Sequence, residues 1–317
     1  MNEDADIRGV LEAALGKPLA SLERRPSEYR TSFALHEIDV ELASGERLEL
    51  MFKEVGPAGL APSARAAKPA FLHDPLREIE VYRDVLDPAR GTPRFYAADT
   101  ERGWLFIERV HGVELFQVGE RQTWEAVARW LADMHGKLAP AAPRARRAIR
   151  YDRGYLELWP ARAIKVAQAR GDASATESLR PIAEGYEAVI ARLLALPPTL
   201  IHGEFYASNV LVDAFTGPRR VAPVDWEQTG IGPGLVDLAA LTAGRWSEAD
   251  RAKIAAAYAD AAGSDLDADA LEACRLHLAL QWLGWSPGWN PPPEHRQDWL
   301  EEAVKAAGRL GLGGAMS

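Results

Sequence analysis

An α+β chain of two lobes is the fold this sequence predicts: a β-rich N-terminal lobe over residues 1–110 and a mainly helical C-terminal lobe over 111–317. Two patterns predict it. Strict alternation of apolar and polar residues belongs to the N-terminal part, as in Ile38, Val40 and Leu42 and again in Leu48, Leu50 and Phe52. From about residue 112 onward, apolar residues recur at helical spacing, and brief β-branched runs interrupt them. Two acidic turns, IHGEFYASNVLV from Ile201 and VDWEQTGIGPGLVDLA from Val224, fall among those helices.

Ile7, Val10, Leu11 and Leu15 predict a short opening helix. The alternating runs on either side of Ser44-Gly45 predict a hairpin. Its period puts Met51 and Lys53 on the face opposite Leu50 and Phe52. Residues 56–70, rich in proline and alanine, read as a loop. Asp74-Pro75 is a helix start with an acidic N-cap, and the helix buries Ile79, Tyr82, Val85 and Leu86. Strands follow near Arg94–Ala97 and Trp104–Val110, and Val110–Glu114 crosses out of the sheet. Helices are expected over Arg121–Leu138, Arg153–Arg170, Ser174–Leu196, Leu235–Ala243, Ser247–Ala262, Asp267–Leu283 and Pro293–Leu310. Arg144–Arg150 reads as a solvated loop between helices, and Asp213–Pro218 as the turn joining short strands at Val210–Val212 and Val221–Val224.

Composition bounds the function. A net charge of −9 argues against a nucleic-acid binder, which needs clustered Lys and Arg. The acidic N-terminus lacks the basic start and apolar core of a secretory signal, and no apolar run is long enough to cross a bilayer. Cys274 is the only cysteine, so no internal disulfide forms; the expectation is a cytoplasmic protein. Oligomeric state is open at this level.

The chemistry concentrates in the two turns. Glu204, Asn209, Asp225 and Glu227 lie within about two dozen residues. A carboxylate beside an acceptor hydroxyl, with an amide and a second carboxylate sharing a divalent cation, is what phosphoryl transfer from a nucleotide requires. Asn209 and Asp225 offer the hard oxygen ligands that suit Mg²⁺. Taken singly, Asn209 could be a turn residue and Asp225 a strand-end cap. No G-x4-G-K-[ST] motif occurs, which disfavours a P-loop NTPase.

HGEFYASNVLV followed by VDWE and GLVDLA resembles the signature of the aminoglycoside phosphotransferase and choline kinase-like family, relatives of the protein kinases. The resemblance runs from about Leu22 to Leu283 and implies a protein-kinase-like fold and an ATP- and Mg²⁺-dependent small-molecule phosphotransferase, with GTP as the open alternative to ATP. On this resemblance Lys53 grips the nucleotide phosphates and Glu78 pairs with it. Asn209 and Asp225 hold the metal, and Glu227 either supports a second ion or is structural. Glu204 stands where the family usually has aspartate, and takes the proton of the acceptor hydroxyl. His202 anchors the catalytic loop, and Asp237 braces it. Residues 25–32 sit where a phosphate-covering loop belongs, with Ser27 or Ser32 as contacts, yet they contain no glycine. The stretch LFIERVHG resembles the hinge, where the backbone of Glu108 and Val110 would bond the base while Met51 and Ile107 line it. The acceptor is a small molecule bearing a hydroxyl: a sugar, an aminoglycoside-like compound or an amino alcohol. Tryptophans 282, 285, 289 and 299 are candidates for its pocket. A nucleotide-binding pseudokinase acting as a scaffold or sensor is the rival reading, motivated by the glutamate at the base position.

Overall fold

Alternation in the N-terminal part resolves, in a computed structural model, into a five-stranded antiparallel sheet. The structure describes residues 3–29, 32–213, 220–244, 246–288 and 297–312. Helix α1 (Glu3–Leu15) precedes β1 (Leu19–Pro26), β2 (Leu35–Leu42) and β3 (Arg47–Glu54); β4 (Phe95–Asp99) and β5 (Trp104–Glu108) complete the order β1-β2-β3-β5-β4. The expected hairpin is β2–β3, with Ile38 opposite Leu50 and Leu35 opposite Lys53. The sheet separates two cores. Leu50, Phe52, Trp104 and Phe106 pack under α1 with Ile7 and Leu11, while Leu105 and Ile107 belong to the large core on the other side, against which Met51 packs.

Between β3 and β4 run α2 (Pro62–Ala67) and α3 (Pro75–Asp84). Asp74 caps α3 by accepting from the Leu76 N–H, with Pro75 at the first helical position, as the sequence predicts. Arg77, Glu78, Ile79, Val81 and Tyr82 form its buried face. Two expectations are corrected here. The 56–70 segment is not all loop: Pro62 starts α2, whose Ala-Arg-Ala-Ala body is a good helix former despite the flanking prolines. Arg25 and Pro26 end strand β1 instead of beginning a loop, and Pro26 fits there because β1 is an edge strand.

Beyond the sheet lie β6 (Val113–Glu114), α4 (Arg121–Leu138), β7 (Ile149–Arg150), α5 (Arg153–Ala169), α6 (Ala173–Ala195) and β8 (Pro198–Ile201). They are followed by β9 (Val210–Val212), β10 (Val221–Pro223), β11 (Gly230–Pro233), α7 (Leu235–Leu241), α8 (Glu248–Ala262), α9 (Ala268–Leu283) and α10 (Trp299–Arg309). The expected helices match to within a few residues, except that the stretch before α10 lies partly outside the described residues. So do Trp289 and most of the Asp213–Pro218 turn. The architecture is the expected bilobal α+β one. Residues 144–150 are not a solvated loop: Ala145 and Ala148 are buried, and Ile149 pairs with Gly230 of β11. Two small sheets, β10-β9-β6 and β7-β11-β8, frame the acidic turns. No helix among the described residues is long and apolar enough to cross a membrane.

Candidate active site

Glu204 and Asn209 sit on the turn between β8 and β9, and Asp225 and Glu227 on the turn between β10 and β11. The two turns touch backbone to backbone. Gly203 has φ +86°, and a Cβ there would stand 2.2 Å from the Gln228 carbonyl oxygen, so only glycine allows this approach. A buried network sets the first turn. Asp237, at the start of α7, accepts from the N–H of His202 (2.7 Å) and of Gly203 (2.9 Å). His202 is fully buried, its Nε2 donates to the Val224 carbonyl (2.9 Å), and its Nδ1 accepts from the Glu204 N–H (3.3 Å). Burial lowers its pKa and keeps the ring neutral, so this histidine aligns the two turns by hydrogen bonds. His135 and Tyr258 extend the network behind Asp237.

Asp225 adopts φ 65°, the left-handed region, and no other non-glycine residue does so among the described residues. Aspartate tolerates that region better than most side chains, and the cost of order 1–3 kcal/mol is of a size often met at functional sites. Its Oδ1 accepts from Lys53 Nζ at 2.5 Å, and Glu78 Oε2 lies 2.7 Å from the same ammonium. The Glu78 contact is a charge contact, not an aligned hydrogen bond, since neither carboxylate oxygen has a hydrogen-bond partner. Burial pulls the Lys53 pKa down, but Asp225, Glu78 and Glu227 hold it well above the usual lysine range. Burial pushes Asp225 up, and Lys53 overrides it, leaving the carboxyl below its ordinary range. Glu78 is raised to about 7 by burial, with Asp225 adding to the effect against Lys53.

Glu204 faces the cleft, where burial and then the charges of Glu227 and Asp225 push its pKa up to about 8. A cavity of about 110 Å³ is lined by the polar residues Ser32, Lys68, Glu204, Asp225 and Glu227 together with Tyr206, Gln281, Trp282 and Trp285. Trp282 donates to the Tyr206 hydroxyl and stacks on Trp299 with centroids 4.9 Å apart. The expected tryptophan cluster is therefore split, with Trp282 and Trp285 at the cavity and Trp299 behind.

The remaining sequence candidates are placed as follows. Met51 and Ile107 are cross-strand neighbours on the cleft face of the sheet. The Glu108 N–H is committed to the Arg94 carbonyl (2.8 Å) and its carboxylate to Arg220 (2.6 and 2.8 Å). Val110 lies just past the strand. Asn209 Nδ2 donates to the Glu204 carbonyl (3.0 Å), so its side-chain oxygen is the atom that could meet a cation.

The donor set fits a magnesium ion. Among the described residues no three His, Cys, Asp or Glu side chains form a ready-made cage. Magnesium in kinase-type sites needs none, because it takes one or two carboxylates and completes its shell with phosphates and water. Buried Glu227 Oε2 has no hydrogen-bond partner, and Glu204, Asp225 and Glu227 bring carboxylate oxygens to one cavity, the hard donors such an ion takes.

Two residues here were not legible in the sequence. Lys68, capping α2, meets Glu227 as an ion pair across the cleft. Arg77 of α3 is buried and donates to the carbonyls of Glu227 (2.6 Å), Leu72 (3.0 Å) and Arg147 (2.9 Å). Nothing local marks either residue; a lysine before a proline and an arginine in a helix are ordinary surface patterns.

A sheet-borne lysine held by a helix glutamate, facing two acidic turns under an interlobar cleft, defines a kinase-like small-molecule phosphotransferase. Residues 60–277 match the model of the phosphotransferase enzyme family (APH), and the chain belongs to that family. It is a transferase with an alcohol group as acceptor. No curated protein matches the sequence. Among solved structures it resembles the choline kinase LicA from Streptococcus pneumoniae, with TM-score 0.60, 12% identity and coverage of 98% of this chain and 99% of that one. It also resembles the streptomycin–ATP–APH(2")-IIa ternary complex (TM-score 0.57, 14% identity, 99% and 97% covered). A third is the macrolide 2'-phosphotransferase MphH from Brachybacterium faecium (TM-score 0.55, 18% identity, 96% and 97% covered). At these identities the likeness is one of fold.

Proposed function

We propose that the chain moves the γ-phosphate of ATP to a hydroxyl of a small neutral or cationic acceptor, with Glu204 as general base. The observation that carries this reading is Lys53, paired at once with Glu78 on α3 and Asp225 on the acidic turn. That arrangement puts a fixed positive charge where nucleotide phosphates enter, and it ties the sheet to the metal-ligating turn. Asn209 and Asp225 would hold Mg²⁺, with Glu227 as a further ligand; when bound, the ion supplies charge neutralisation for the phosphates. Met51 and Ile107 line the base, Ser32 and the Lys53 ammonium face the phosphates, and the Glu108 carbonyl with Val110 forms the hinge contact. Glu204 orients the acceptor hydroxyl and takes its proton as the phosphate transfers. The wall of Tyr206, Trp282 and Trp285 suits a sugar face or an alkylammonium group, since both stack on aromatic rings. An amino alcohol, a sugar or an aminoglycoside-like compound meets these demands.

The test is transfer of labelled phosphate from ATP, and in parallel from GTP, across a panel of aminoglycosides, sugars and amino alcohols. Wild type labels at least one class, and Asp225→Ala abolishes transfer while keeping its fold. Full activity in that variant refutes the metal assignment. Nucleotide binding with no turnover on any acceptor favours the scaffold reading instead.

A further inference from the structure

Lys68 has no part in the reading above, yet it is built into the same cleft. Its side chain is 5% exposed, it pairs with Glu227 across the lobes, and it lines the cavity with Ser32, Glu204 and Asp225. The ammonium groups of Lys68 and Lys53 both lie 5.3 Å from the centre of the Phe33 ring. Two lysines therefore cross from the sheet side to one turn, Lys53 to Asp225 and Lys68 to Glu227, acids separated only by Trp226.

The two pairings differ in kind. Lys53 has a second carboxylate in Glu78 and stays neutralised if Asp225 turns to another cation. Among the described residues Glu227 is the only carboxylate in direct salt-bridge contact with Lys68, so a cation on Glu227 takes away that contact and favours a new anion beside a buried ammonium. The anion available at that moment is nucleotide phosphate. Lys68 shares its cavity with Glu204 and the aromatic wall, so it stands toward the acceptor, where the phosphate to be transferred must lie. The 27–32 segment holds no glycine, so it lacks the sequence pattern of a glycine-rich phosphate loop, and Lys68 supplies a side-chain charge nearby.

We propose that Lys68 is a second phosphate-binding residue, held by Glu227 in the resting protein and passed to the terminal phosphate of the nucleotide when Glu227 takes a metal ion. This rests on the phosphotransferase reading given above. The test is calorimetric titration of wild type, K68Q and K68M with ATP and with ADP, both in Mg²⁺. A lost hydrogen bond to a charged group predicts that ATP affinity falls about 10–100-fold in both variants. ADP, which lacks the terminal phosphate, should bind within about twofold of wild type. Equal losses for ATP and ADP would make Lys68 a mere tie between lobes and overturn the proposal. So would unchanged ATP affinity in either variant, which also covers the case of one variant failing to fold. A wild type that binds neither nucleotide brings down the phosphotransferase reading itself, a result that does not involve Lys68.

Discussion

Replacing Glu204 with glutamine should stabilise the metal-free protein while destroying transfer, and the stabilisation should depend on pH. Burial, Glu227 and Asp225 raise the carboxyl from 4.5 to about 8. Between those values the native state keeps a proton that the unfolded chain has released, so wild-type stability falls as pH rises. The full difference corresponds to about 5 kcal/mol. Glu204 remains partly open to the cleft, where water screens its charge, and a realised value of about 2 kcal/mol is the working figure. Glutamine has nearly the shape of the protonated acid and never ionises. Thermal unfolding in EDTA, followed by tryptophan fluorescence, should therefore show E204Q within about 1 °C of wild type at pH 5 and about 3–5 °C above it at pH 9. Saturating Mg²⁺ should narrow the gap, because a nearby cation stabilises the ionised carboxylate. Phosphate transfer should meanwhile drop about 10²–10⁴-fold, the usual contribution of a general base. An E204Q protein that melts at or below wild type at pH 9 would show that Glu204 is not held against its neighbours' charge, and the reasoning fails.

Arg77→Met should lower thermal stability by about 2–4 kcal/mol, since it strands the buried carbonyls of Leu72 and Glu227 and the part-buried one of Arg147, and Arg77→Lys should not restore it because one ammonium cannot span them. Chemical denaturation read by circular dichroism checks this; a variant as stable as wild type refutes it. Trp282→Ala should raise the acceptor KM about tenfold or more while leaving nucleotide affinity unchanged, and steady-state kinetics with calorimetry separates the two.

The helical part of the fold was plain in the sequence because its helices are long and periodic: α4 begins and ends where Arg121 and Leu138 predict. Strand β1 was hidden because its exposed residues, among them Glu23 and Arg25, outnumber its apolar ones, as an edge strand allows. Helix α2 was hidden by prolines at 57, 62 and 69, although Pro62 at its first position was itself a start signal. The acidic turns were legible since their chemistry sits in short contiguous motifs. Lys68 and Arg77 were not, because their partner Glu227 lies 159 and 150 residues away in the chain. Such contacts exist only once the lobes meet. The sequence reading gave the backbone of Glu108 a contact with the base; that its N–H is committed to Arg94 is a matter of strand register.

Arg77 and Glu78 are neighbours on helix α3, and that adjacency limits how this protein can be governed. Swinging the helix outward to unseat Glu78 would tear the guanidinium from the carbonyls of Leu72, Arg147 and Glu227 at once. The lysine–glutamate pair and the carbonyl contacts of Arg77 therefore hold or break together.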